Sequence, residues 1–212
     1  MTSRHEQMSA AMVRLCWQKI PGFEMCIKSE SRYLRLLNMV VKWFNPRFMT
    51  DYVTTIYPNV YFPEYNNEDW KVLTHEFVHL THAKKSKILF NLKYLFPQNL
   101  ALLSLLSVFN TYHLLWLFFL APLPAYFRMK EELDGYTMSM AINYWRYGSI
   151  KQEQIDWVRH QFLSSAYYFM WPFKKYITKK VTERAALIAA GHYTNKPIFK
   201  EVNRLIRRIW GR

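Results

Sequence analysis

Two histidines one helical turn apart constrain this chain more than any other feature of its sequence. The run His75-Glu76-Phe77-Val78-His79 separates the imidazoles by four positions, and on an α-helix such residues lie on one face. Both imidazoles can then bind one Zn²⁺, and Glu76 is placed to hold the water that attacks a substrate. The pattern therefore predicts a helix in which His75 and His79 are zinc ligands and Glu76 is the catalytic base.

The sequence around this motif is typical of a capped helix that follows an extended segment. Asn66 or Asn67 can cap the helix at its start, and lysines near its end match the helix dipole. Residues 52–62 are rich in Val, Ile, Thr and Tyr, which favours a strand, and Pro58 restricts that strand to a sheet edge. The alternative interpretation is a helix whose histidines form hydrogen bonds in a polar core, with Glu76 paired to a basic residue.

A catalytic zinc site normally has three protein ligands, so a third ligand is expected elsewhere in the chain. His82 lies too far along a continuous helix to share a metal ion with His75 and His79, because each residue adds about 1.5 Å. Residues 131–136, Glu-Glu-Leu-Asp-Gly-Tyr, resemble the second ligand helix of the gluzincin metallopeptidases.

The resemblance to gluzincins implies that Glu132 is the third zinc ligand. Aligning Asp134-Gly135-Tyr136 with the common Glu-Ala-Asp ending of that family puts Tyr136 where a residue that supports a ligand histidine is expected. Gluzincins commonly have an acidic residue at this position, and this chain has none there. Glu131 is the alternative ligand.

The same resemblance implies a fold and an activity. One domain is expected over residues 1–212, mainly helical with a small β segment, in the α+β class. A zincin-like core spans about residues 50–145, between N-terminal helices at 1–45 and a C-terminal helical part at 146–212. The implied activity is zinc-dependent hydrolysis of a peptide or protein. The compact aromatic and basic composition is also similar to that of predicted metallopeptidases of tailed phages, which implies association with a virion.

Peptide hydrolysis also requires a donor that stabilises the tetrahedral oxyanion. We select His192 as the catalytic candidate for this role. The sequence offers further candidates at Tyr193, Tyr144 and His160, although a His or Tyr in so aromatic a chain is also typical of a hydrogen-bonded packing residue.

The most apolar part of the chain follows Pro97. A continuous helix over residues 98–121 would be long enough to cross a bilayer. A single crossing would put His75 and His79 on one side of the membrane and Glu132 on the other, so it is incompatible with the metal site. A helical hairpin broken at residues 110–113 avoids this conflict. We expect the hairpin to be buried in the core, with insertion into a membrane as the alternative.

The strongly positive balance of charges suggests what kinds of molecule the protein meets. A formal net charge of +14 favours nucleic acid, anionic lipid or an acidic protein neighbour. A second functional hypothesis is therefore a non-catalytic assembly protein of a large particle, which keeps the zinc-peptidase fold and turns its basic surface toward nucleic acid or neighbouring subunits. A peripheral membrane protein that uses the apolar hairpin and a basic C-terminal helix is compatible with either hypothesis.

The two cysteines and the start of the chain bear on its compartment. Cys16 and Cys26 lack the spacing of a disulfide framework or a zinc ribbon, so reduced thiols are expected. The first residues lack the pattern of a secretory signal peptide, which favours synthesis and retention in the cytoplasm.

Overall fold

The computed structural model describes the chain except for residues 1, 44, 64–68, 122, 165–169 and 212. Its described part is mainly helical with a three-stranded sheet, which confirms the predicted α+β class. Contacts within the chain divide it into two compact units, one formed by Met1–Lys85 with Thr194–Arg212 and the other by Ser86–Tyr193.

In the part of the chain that the structure describes, the first unit combines the sheet with four helices. Its strands are β1 (Met25–Ile27), β2 (Thr54–Ile56) and β3 (Asn59–Phe62). Its helices are α1 (Arg4–Lys19), α2 (Arg32–Val41), α3 (Trp70–Lys85) and α8 (Pro197–Trp210).

The sheet places β3 in the middle, parallel to β1 and antiparallel to β2. Pro58 lies in the turn between β2 and β3, where it interrupts no ladder of hydrogen bonds. The predicted edge position is therefore correct for β2. It is wrong for β3, because the short strand β1 from an earlier part of the chain pairs with the other side of β3.

The ends of the helices follow local sequence signals. Ser3 and Glu6 form a reciprocal capping box at the start of α1. The carboxylate of Asp69, immediately before α3, accepts a hydrogen bond from the backbone N–H of Lys71 at 2.9 Å. The predicted caps Asn66 and Asn67 lie outside the described residues.

An aromatic cluster joins three helices of the first unit. The indole N–H of Trp70 on α3 donates to Nδ1 of His5 on α1 at 3.3 Å. The Trp70 ring also lies 5.6 Å from the ring of Trp210 on α8. Val202 and Ile206 of α8 are fully buried, and α8 packs on α1 and α3. The C-terminal helix therefore covers its own unit with its apolar stripe.

The described residues of the second unit form four α-helices and a hairpin of two 3₁₀ helices. The α-helices are α4 (Lys87–Tyr94), α5 (Tyr126–Tyr147), α6 (Gln152–Leu163) and α7 (Lys174–Ala189). The first hairpin helix is Gln98–Val108 and the second is Thr111–Leu120. Gly148 ends α5 with φ of 78°, a conformation that favours glycine.

The expected burial of the hairpin in the core is wrong. Of the side chains described between 98 and 121, Ala101 is buried and the others are half-buried or exposed. The predicted break near Asn110 is confirmed, since Asn110 separates the two hairpin helices. The two helices pack on each other, and most of their large apolar side chains are exposed. Among the described residues, no helix is long and apolar enough to cross a membrane.

The Trp70 cluster should contribute strongly to stability. We expect Trp70→Ala to lower the free energy of unfolding by about 3–5 kcal/mol, because it removes a buried aromatic ring at the start of α3. Trp17→Ala is the matched control, since Trp17 on α1 is 62% exposed, and it should change stability by less than about 0.5 kcal/mol. Urea denaturation followed by circular dichroism measures both. Equal losses in the two variants would contradict the role of the cluster.

Candidate metal centre

Helix α3 buries polar side chains among apolar ones. The exposed fractions are 0% for Thr74, 8% for His75, 9% for Glu76 and 4% for His79. The neighbouring side chains Leu73, Phe77, Val78 and Leu80 are equally buried. Burial of polar groups is unfavourable unless they have partners. The partners of these residues therefore show whether the helix can hold a metal ion.

The two motif histidines face each other across one turn. Their Nε2 atoms lie 3.2 Å apart and their ring centroids 5.0 Å apart. One Nε2 donates to the other when the pair forms a hydrogen bond. The distance also matches the roughly 3.3 Å that separates two ligands of a tetrahedral ion with metal–nitrogen bonds of about 2.0–2.1 Å. The pair therefore has the geometry of two ligands of one metal ion.

Glu132 is held on α5 within the second unit. Its side chain is 3% exposed, and the hydroxyl of Tyr94 on α4 donates to its Oε1 at 2.5 Å. Arg128 donates from Nε to the backbone carbonyl of Tyr94 at 3.0 Å and lies over the Tyr94 ring. Sequence reasoning missed Tyr94, since it is 38 positions from Glu132 and on a helix that no motif links to α5.

His75, His79 and Glu132 form a group that could hold a metal ion. One ligand atom from each residue lies within 4.8 Å of the others, and all three side chains are buried. Two imidazoles and a carboxylate are a donor set that suits zinc. The group includes Glu132 and not Glu131, the half-buried alternative. The residues present thus fit the predicted ion by ligand type and by the spacing of the two imidazoles.

The motif carboxylate is oriented from the sheet. Thr55 on β2 donates from its hydroxyl to Oε2 of Glu76 at 2.7 Å. Thr55 is the residue that the predicted edge strand brings to the site. Its role was missed, because the sequence indicated the strand without indicating which of its side chains points toward the helix.

A fully buried lysine adds positive charge near Glu76. The ammonium group of Lys28 donates to the backbone carbonyl of Phe48 at 2.5 Å and lies over the Phe48 ring, 4.1 Å from its centroid. Burial lowers the pKa of Lys28 from 10.5 to about 8, and the negative charge of Glu76 opposes this shift. The sequence alone gave no sign of a buried lysine at this position.

The other candidate residues have varied surroundings within the second unit. His192 is exposed in the turn after α7, and its backbone N–H donates to the carbonyl of Leu187 at 3.0 Å. The Tyr193 hydroxyl contacts the guanidinium of Arg184. The Tyr144 hydroxyl donates to the carbonyl of Ala189 at 3.3 Å. The catalytic role of His192 stays a prediction.

Two residues near Glu132 on α5 have clear packing partners. The carboxylate of Asp134 accepts from Arg184 at 3.0 Å, which links α5 to α7. The ring of Tyr136 packs edge-on against Trp157 and Phe162, each at 5.6 Å between centroids. The support that Tyr136 is predicted to give a ligand histidine also stays a prediction.

Comparisons of this chain with known proteins find no match among protein-family models, curated proteins or solved structures.

The buried Lys28 predicts a dependence of stability on pH. Its pKa is about 8 in the folded chain and near 10.5 when exposed, so between these values the unfolded chain binds more protons. The contribution of Lys28 to stability should then rise with pH, by about 2 kcal/mol from about pH 7 to about pH 9.5. Burial raises the pKa of Cys16 to about 12, so this thiol contributes a smaller fall in stability over the same range, which Lys28→Met retains. Urea denaturation at both pH values measures this rise. Lys28→Met is the control and should lack it; an equal rise in both proteins would assign it to other groups.

Proposed function

We propose that the protein is a zinc-dependent metallopeptidase-like hydrolase of the gluzincin type. His75, His79 and Glu132 are its zinc ligands, and Glu76 is its general base. The observation that carries the proposal is the buried His-His-Glu group, whose ligand atoms lie within 4.8 Å of one another. A carboxylate one residue after the first histidine is the base that hydrolysis at such a site needs.

The ligand set suits a catalytic ion better than a purely structural one. Three protein ligands leave one position of a tetrahedral zinc for water or substrate, whereas structural sites are normally closed by four. The three ligands carry a single negative charge, so the site stays electrophilic. When bound, zinc supplies Lewis acidity that polarises a peptide carbonyl and makes water more acidic.

Glu76 moves the proton in this proposal. Its carboxylate takes a proton from the attacking water and returns it to the amine that leaves. The hydrogen bond from Thr55 occupies Oε2 at 2.7 Å and leaves Oε1 as the oxygen that accepts the proton. Thr55 is therefore a positioning residue, because it acts on the reaction through Glu76.

Tyr94 has the corresponding role for the third ligand. Its hydroxyl donates to Oε1 of Glu132 at 2.5 Å and would hold the carboxylate in place for a bound zinc ion. Hydrogen bonds to a ligand carboxylate fix its orientation and are a common part of metal sites. Arg128 holds the backbone of Tyr94 in turn at 3.0 Å.

A second candidate function is the non-catalytic assembly protein. The observation that favours it is Tyr136, which follows Glu132 by four positions and packs between aromatic rings, where gluzincins commonly have a carboxylate. In this alternative the metal stabilises the fold, and the partners are nucleic acid or the subunits of a virion or another large assembly. Glu76→Gln would then fold and assemble like the wild type.

Zinc content and hydrolysis test the proposal together. We expect one zinc per chain in the purified protein, and its loss in His79→Ala and Glu132→Ala. Glu131→Ala is the matched control and should keep the ion. Glu76→Gln should also keep it but hydrolyse peptides about 10²–10⁴-fold more slowly. Metal analysis by mass spectrometry gives the first result, and cleavage of a peptide library gives the second.

Each result of this experiment has a distinct meaning. Zinc in Glu132→Ala together with loss of zinc in Glu131→Ala would make Glu131 the ligand. Full hydrolysis by Glu76→Gln would refute the catalytic role of Glu76. A correctly folded wild-type chain that binds no zinc would refute the metal site.

The Thr55 hydrogen bond gives a sharper test of the catalytic geometry. Thr55→Val keeps the shape of the side chain but removes its donor, and a hydrogen bond to a charged group contributes about 1.5–3 kcal/mol. We therefore expect kcat to fall by about 10- to 100-fold with zinc content unchanged. Thr55→Ser retains the hydroxyl and should stay close to wild type. Equal kcat values for the two variants would contradict the positioning role.

A further inference from the structure

The hairpin exposes apolar side chains to an unusual degree. Exposed fractions reach 85% at Val108, 86% at Phe109, 79% at Tyr112 and 75% at Leu115. These residues lie at or near the turn between the two hairpin helices, so the most exposed apolar groups form the tip of the hairpin. Large apolar surfaces of this kind mark binding sites, because soluble chains rarely expose them without a partner.

The periodicity of a 3₁₀ helix shows how these side chains are arranged. Three residues complete a turn, so side chains at i and i+3 eclipse and each helix carries three rows. In the first hairpin helix the least exposed row has small side chains: Ala101, Ser104 and Ser107. In the second hairpin helix the least exposed row has large side chains: His113, Trp116 and Phe119. The rings of Trp116 and Phe119 stack with 5.6 Å between their centroids. We infer that these two rows face each other.

The remaining rows point outward and are almost entirely apolar. They comprise Leu102, Leu105 and Val108; Leu103, Leu106 and Phe109; Leu114 and Leu117; and Tyr112, Leu115 and Phe118. Two of the three rows of each helix therefore expose large apolar side chains. A protein partner would cover one side of such a hairpin, whereas lipid would surround it. The distribution therefore favours lipid.

Several backbone amides of the tip have hydrogen-bond partners within the chain, which lowers the cost of moving them into lipid. The amide of Phe109 donates to the carbonyl of Leu106 at 2.9 Å, and that of His113 donates to the carbonyl of Asn110 at 3.1 Å. The side chain of Asn110 accepts from the amide of Tyr112 at 2.9 Å. These amides of the turn are thus satisfied without water.

Positive charge surrounds the base of the hairpin. The sequence has no charged residue between Lys93 and Arg128, and no acidic residue between Glu76 and Glu131. Lys87, Lys93 and Lys130 are exposed on α4 and α5. Helix α4 also exposes Ile88 at 75% and Leu92 at 54%. The apolar hairpin would suit the apolar interior of a membrane, and the positive charge at the foot of the hairpin would suit anionic headgroups.

We propose that the hairpin inserts into an anionic lipid bilayer from one side, with α4 and the basic residues at the headgroups. Eleven residues at about 2.0 Å each give the first hairpin helix a length of about 22 Å, which is shorter than a hydrocarbon core of about 30 Å. The tip therefore ends within the bilayer, and the chain enters and leaves on the same side. This inference does not depend on the metal site.

Flotation of the full-length protein with lipid vesicles tests the proposal. The probe is phosphatidylcholine vesicles with and without phosphatidylserine, at low and at high salt. We expect flotation with the anionic vesicles that persists at high salt, because insertion of the tip holds the protein once charge has attracted it. Val108→Asp/Phe109→Asp should reduce the bound fraction at least about tenfold, since it puts two carboxylates into hydrocarbon.

A matched control distinguishes the effect of changing the tip from the effect of changing other exposed apolar residues. Leu36→Asp/Met39→Asp alters two side chains of α2 that are 61% and 56% exposed, and it should float like the wild type. Circular dichroism verifies that both double variants fold. Failure of wild type to float, or equal flotation of the tip variant, would overturn the proposal. So would light scattering that shows an oligomer dissociated by the tip variant, because the surface would then join copies of this chain.

Discussion

The burial of a carboxylate and two imidazoles on α3 is the constraint on which the rest of the first unit depends. Polar groups this deeply buried destabilise a fold unless neighbouring residues satisfy them. Glu76 receives a hydrogen bond from Thr55, which the strand β2 supplies. The buried charge of Lys28, which follows β1, interacts with the same carboxylate. The small sheet and the residue that follows β1 thus provide two partners for the buried carboxylate of Glu76.

Several parts of this arrangement could be predicted from sequence because they depend on local rules. His75 and His79 are spaced so that an α-helix lets them bind one metal ion, and α3 is such a helix. The capping box at Ser3 and the stop at Gly148 depend on residues a few positions apart. The pairing of β1 with β3 and the contact of Tyr94 with Glu132 were not predictable in this way. They join distant parts of the chain, and no pattern within either part specifies the other.

The hairpin shows why hydrophobicity alone does not locate a core. Its apolar side chains surround both helices, whereas a helix at the edge of a core has an apolar stripe on one side. Helix α8 has such a stripe, and it buries Val202 and Ile206 while its arginines remain outside. In the hairpin, by contrast, most of the exposed side chains that the structure describes are apolar. Composition alone therefore predicted burial wrongly, whereas the distribution of apolar side chains around each helix indicates an exposed hairpin.

Tyr94 links Glu132, the proposed third ligand, to the first residue of the hairpin through hydrogen bonds within the second unit. Its hydroxyl holds Glu132 on α5, and its backbone carbonyl accepts from Arg128. The same guanidinium donates from its Nη2 to Gln98, the first residue of the hairpin, at 3.0 Å. A displacement of the hairpin base relative to α5 would thus act on the residue that orients Glu132. The proposed third ligand and the proposed lipid anchor share one set of hydrogen bonds, so lipid contact at the hairpin and metal affinity at Glu132 should be measured in the same variants.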